Sequence, residues 1–66
     1  MPIIQVNMME GRSEEQKRDL ILKITDAAVA ALGAPRESVR IMIHEMKAEH
    51  FAVGGVPFSE RKKQSQ

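Results

Sequence analysis

The chain has 66 residues, with ten Lys and Arg against nine Asp and Glu, a formal net charge of +1 and no Cys. That balance lacks the basic surplus of a nucleic-acid binder, and no apolar run approaches the ~20 residues of a membrane span. The missing cysteines exclude disulfides and thiolate metal sites, and two histidines are too few for a structural zinc site.

A chain of this length hides only ~60% of its unfolded surface. With 42% hydrophobic residues, five of them Met, association with other chains is the remaining way to cover apolar surface. The N-terminus shows no basic stretch followed by a hydrophobic core, so a soluble cytoplasmic protein is the expectation.

The first element follows Met1 at once. Over residues 2–9, Ile4, Val6 and Met8 alternate with Ile3, Gln5, Asn7 and Met9, the pattern of a strand with both faces partly covered. Glu10-Gly11-Arg12 breaks it. Ser13 with Gln16 three residues later is a capping-box signature, and Glu14 and Glu15 suit a first helical turn. The helix is expected over about 14–32, stopping at Gly33 with Pro35 just beyond. Leu20, Ile24, Ala27, Ala28 and Ala31 form one apolar stripe; Leu22 and Val29 fall on the opposite side.

A second period-two run covers residues 39–46, with Val39, Ile41 and Ile43 on one face and Arg40, Met42, His44 and Met46 on the other. Strand, helix and strand in this order predict a single β-α-β unit with two parallel strands and a right-handed crossover. Two strands with apolar residues on both faces need more than one helix to cover them. Residues 51–56 suggest a short C-terminal hairpin turned at Gly54-Gly55. The expected architecture is therefore α/β (α+β): two parallel strands, one long helix and the hairpin, assembled into oligomers. A single domain is expected over 1–66, ordered over about 2–58, with a polar tail at 59–66 that frays.

Several side chains have more than one reading. Removal of Met1 would give Pro2 a free secondary amine, able to act as a base near neutral pH; with Met1 attached it is only a strand-starting residue. Arg12 is either a solvated loop residue or a carboxylate clamp, since guanidinium grips carboxylates through two parallel N–H bonds. Arg40 interrupts an apolar strand, where its charge wants a partner: a ligand carboxylate, or Glu37, Glu45 or a rim position. His44 and His50 read first as packing or hydrogen-bonding residues, and Glu10 as a turn residue. Phe51 is either a core anchor or a pocket wall.

In order and spacing, Pro2, Glu10-Gly11-Arg12-Ser13, Glu15-Gln16-Lys17, Ser38-Val39-Arg40, Glu45-Met46 and His50-Phe51-Ala52-Val53-Gly54-Gly55 resemble the 4-oxalocrotonate tautomerases. The resemblance covers residues 2 to about 55 and lapses at Val56-Pro57-Phe58. It implies a cofactor- and metal-independent isomerase in which Met1 is removed and the Pro2 nitrogen is the catalytic base. Arg40 would bind the 2-oxygen and near carboxylate of a 2-hydroxymuconate-like dienol, and Arg12 the far carboxylate. Phe51, Met9 and Val53 would line the apolar pocket. It also implies a homohexamer, a trimer of dimers whose sites draw on more than one subunit, and a role in aromatic hydrocarbon catabolism.

Three other readings stand beside it. The same fold could serve a different or promiscuous substrate, as in a dehalogenase-like relative with Glu10 or His44 activating water. A ribbon-helix-helix DNA-binding dimer is also small and opened by a strand, but needs a second helix where residues 39–46 alternate. A non-catalytic assembly module would tolerate alanine at Pro2 and Arg40.

Overall fold

The structure, a computed structural model, describes residues 1–60. Strand β1 (Ile3–Met9) leads through a short loop into helix α1 (Glu14–Leu32). A 3-10 turn (Arg36–Ser38) then delivers the chain to strand β2 (Arg40–Met46). A second 3-10 turn (Ala48–His50) precedes a hairpin of β3 (Ala52–Val53) and β4 (Val56–Pro57). β1 and β2 pair in parallel from Ile3↔Arg40 to Met9↔Met46, so both strands start at one edge of the unit and end at the other. The strand at Arg40–Met46 removes the ribbon-helix-helix reading, whose second helix would lie there.

Local chemistry explains the ends of α1. The Gln16 N–H donates to Ser13 Oγ at 3.1 Å, and the Ser13 N–H donates to Gln16 Oε1 at 3.0 Å, so two orphan donors are satisfied reciprocally. At the other end Gly33 adopts φ +66°, and its N–H donates to the Val29 carbonyl at 2.9 Å. A side chain there would be strained, which is why glycine ends the helix. Lys17 Nζ lies 3.0 Å from Glu45 and 3.1 Å from Glu14, fastening the first turns of α1 to β2.

The strand alternation holds: Ile4, Val6, Met8, Ile41 and Ile43 are half-buried, whereas Ile3 and Met42 on the opposite face are exposed. The helix stripe is narrower than expected. Leu20, Ile24 and Ala28 turn inward, but Ala27 and Ala31 are exposed, while Val29 on the supposed outer side is half-buried. A two-stranded sheet, its strands ~4.8 Å apart, is too narrow to cover the stripe along its whole width. Among the described residues Ala28 is the one buried hydrophobic side chain. Of the polar tail expected to fray over 59–66, residues 61–66 lie outside the described residues.

Candidate active site

Pro2 and Arg40 come together at the starting edge of the parallel sheet. The Arg40 N–H donates to the Pro2 carbonyl at 3.0 Å, so the ladder begins between these two residues. This bond fixes the backbone of Pro2 immediately before β1. Pro2 is half-buried, and Met1 ahead of it is 75% exposed. The Arg40 side chain lies on the open face and donates from Nη1 to the Glu37 carbonyl at 2.9 Å. Glu37 thus holds it through the backbone rather than the carboxylate, and Glu45 is engaged by Lys17 instead. One guanidinium N–H is spent on orientation; the others remain for a ligand.

Arg12, Met9 and Phe51 gather at the opposite edge. The Glu10 N–H donates to the Met46 carbonyl at 3.0 Å, extending the ladder past the strand ends. Gly11, at φ +127°, then turns the chain. Met8, Met9, Glu10, Gly11 and Arg12 line a recess of about 310 Å³. Arg12 is exposed, and among the described residues it makes no ion pair or side-chain hydrogen bond. Electrostatically it is therefore an uncommitted cation at a turn.

A second recess adjoins the first. Asn7, Met8, Met9, Met46, Phe51 and Phe58 line about 290 Å³ where the hairpin folds over the strand ends. Gly54 and Gly55, at φ +61° and +86°, make the tight two-residue turn. Phe51 and Phe58 then meet edge to face at 6.0 Å, and the Phe58 N–H donates to the Phe51 carbonyl at 2.6 Å. Phe58 was not anticipated. The signal was available: Phe51 and Phe58 are equidistant from the glycine pair, so a hairpin turning there must set them opposite one another. Val53, in β3, is half exposed and lies outside this recess.

Within one chain the expected site residues thus form two groups. Pro2 and Arg40 stand at the starting ends of the strands, and Met9, Arg12 and Phe51 at or beyond their finishing ends. Seven strand residues at ~3.3 Å each separate the groups by roughly 20 Å. Phe51 is therefore not beside Pro2 in the same protomer. His44 pairs in register with Asn7 on the open face, and His50 is exposed in its turn.

A family model described as tautomerase enzyme matches residues 2–61. A probable tautomerase of Ralstonia nicotianae is 58% identical over 62 residues, covering 94% of this chain and 89% of its own. The 2-hydroxymuconate tautomerase of Comamonas testosteroni is 48% identical over 60 residues, covering 91% and 95%. Among solved structures, a heterohexamer 4-oxalocrotonate tautomerase from Chloroflexus aurantiacus superposes with a TM-score of 0.85 at 40% identity, covering 91% of this chain and 97% of its own. With its parallel β-α-β unit and terminal hairpin, the chain belongs to the 4-oxalocrotonate tautomerase family of the tautomerase superfamily and is an isomerase.

Proposed function

We propose that this chain is a keto-enol tautomerase in which the amino-terminal nitrogen of Pro2, freed by loss of Met1, is the general base for 2-hydroxymuconate-like dienols. The observation that carries the reading is the hydrogen bond between the Pro2 carbonyl and the Arg40 N–H, which anchors proline beside the backbone of Arg40 at the mouth of the sheet. Met1 is exposed and therefore accessible to removal. An ordinary α-amino group titrates near 7.7–8.0. Partial burial of Pro2 would disfavour the protonated form of a freed amine, favouring a base that is neutral at working pH.

Neutral proline takes the proton of the 2-hydroxyl as the oxygen becomes a carbonyl. The electron pair moves along the conjugated chain, and the same nitrogen returns the proton to the distal carbon. Arg40 faces the 2-oxygen and near carboxylate. Arg12 holds the far carboxylate and draws electron density toward it, stabilising the charge as it develops. Because Arg12 and Phe51 lie roughly 20 Å from Pro2 within a protomer, they are supplied by a neighbouring copy. The heterohexamer named for the Chloroflexus relative supports such an assembly, here a homohexamer.

Intact mass and ketonisation of 2-hydroxymuconate, followed by absorbance on one sample, test the reading together. Mass without Met1 and rapid turnover are expected, with loss of at least 100-fold in kcat/KM for Pro2→Ala, at the lower end of the range for general-base catalysis. Full turnover by Pro2→Ala, or by chain that retains Met1, removes proline as the base.

A further inference from the structure

Beyond the muconate chemistry, the geometry points to Phe58 as a specificity-determining residue: it sets the Phe51 ring and completes an apolar recess that takes an uncharged alkyl or aryl group at the far end of a 2-hydroxy or 2-oxo acid. The inference deepens the proposed function and rests on it for the reaction, but not for binding.

Two contacts fasten Phe58 to Phe51. The rings meet edge to face at 6.0 Å and 65°, and the Phe58 N–H donates to the Phe51 carbonyl at 2.6 Å. An aromatic pair of this kind contributes beyond its buried area. Phe51 itself is 42% exposed, so without this brace little would hold its ring. The recess behind the rings has no charged lining: Asn7 is its polar member, beside Met8, Met9, Met46 and the two phenylalanines. Desolvating a carboxylate there would be costly, whereas an apolar group gains from it.

The recess also continues into the one beside Arg12, since Met8 and Met9 line both. A substrate reaching this edge thus meets a cation on one side and a neutral thioether and aromatic surface on the other. A terminal carboxylate goes to Arg12. A phenyl or alkyl terminus goes between Phe51, Phe58 and the methionines, whose flexible side chains adapt to its shape.

The test compares phenylenolpyruvate with 2-hydroxymuconate in the oligomeric enzyme, together with calorimetric binding of phenylpyruvate. Phe58→Ala is expected to raise KM for phenylenolpyruvate at least fivefold more than KM for 2-hydroxymuconate, and to weaken phenylpyruvate binding by a similar factor. Phe58→Leu, which keeps apolar volume, recovers most of both and guards against misfolding of the alanine variant. Equal change toward both substrates would reduce Phe58 to a structural role, and no change would remove it from the site; either overturns the inference. Wild type that binds phenylpyruvate in a Phe58-dependent way but turns over neither substrate would leave the recess standing and fail the proline reading instead.

Discussion

Arg12 and Arg40 carry the same charge in different company. Arg40 donates from its side chain to the Glu37 carbonyl and from its backbone to the Pro2 carbonyl, so its guanidinium is held by one fixed contact. Arg12 projects from the Gly11 turn without an ionic partner among the described residues. In the proposed mechanism the first meets the carboxylate and oxygen common to all 2-hydroxy acids, and the second meets only the far carboxylate of a diacid. A hydrogen bond to a charged group contributes about 1.5–3 kcal/mol, roughly 10- to 100-fold in kcat/KM. Arg12→Ala is therefore expected to cost that much on 2-hydroxymuconate and far less on phenylenolpyruvate. Arg40→Ala should cost it on both. Steady-state kinetics with the two substrates reads the difference; parallel losses in the two variants would show that the arginines do not divide the substrate in this way.

At the scale of elements, the helix is tied to the sheet through Lys17. Its ammonium bridges Glu45 and Glu14, and the hydrogen bonds to Glu45 and then Glu14 hold its pKa above the ordinary lysine value of 10.5. A raised folded-state pKa contributes stability that is complete below the unfolded value and disappears as pH rises through the folded one. Wild type is thus expected to melt at a higher temperature than Lys17→Met at neutral pH, with the gap closing as pH rises beyond the ordinary lysine value. The chain has no Tyr or Cys to obscure that range. A gap independent of pH would mean that Lys17 acts through packing of its stem.

The elements themselves were legible because each carries a local signal. Period-two alternation marks both strands, Ser13 and Gln16 mark one helix end, and Gly33 marks the other. What the helix covers was not legible, because Ala27 and Ala31 depend on the width of the sheet beneath them. Phe58 carried a signal only jointly with Phe51, through their equal distance from the glycine pair, and the hairpin turns that signal into a contact between the two rings. Pro2, Arg12 and Arg40 were identifiable as candidates by type and spacing. Their segregation to two edges follows from the parallel register that the strand-helix-strand order already predicted.

The whole molecule is not a self-contained globule. Its Cα radius of gyration is 15.3 Å, against about 11 Å for a compact domain of this length. Ile3 and Met42 lie exposed on the uncovered sheet face, as do Ile21, Leu22 and Leu32 on the helix. Further copies would cover this surface, and the same association would bring the Arg12 edge of one chain to the Pro2 edge of another. A consequence distinguishes a shared site from a self-contained one. Pro2→Ala keeps a sound Arg12 edge and Arg12→Ala keeps a sound Pro2 edge, so each variant alone has only defective sites. If the two are unfolded, mixed in equal amounts and refolded together, a site that takes its proline from one chain and its arginine from another is intact in about a quarter of cases for random assembly of a closed oligomer. Recovery of activity toward 2-hydroxymuconate to that fraction of wild type is expected, against only the residual activity of each variant when it is refolded separately. A mixture no more active than the average of its parts would place both residues in the service of one protomer, which the seven-residue strand between them makes geometrically untenable for a small substrate; the division of labour between Pro2 and Arg12 would then have to be abandoned.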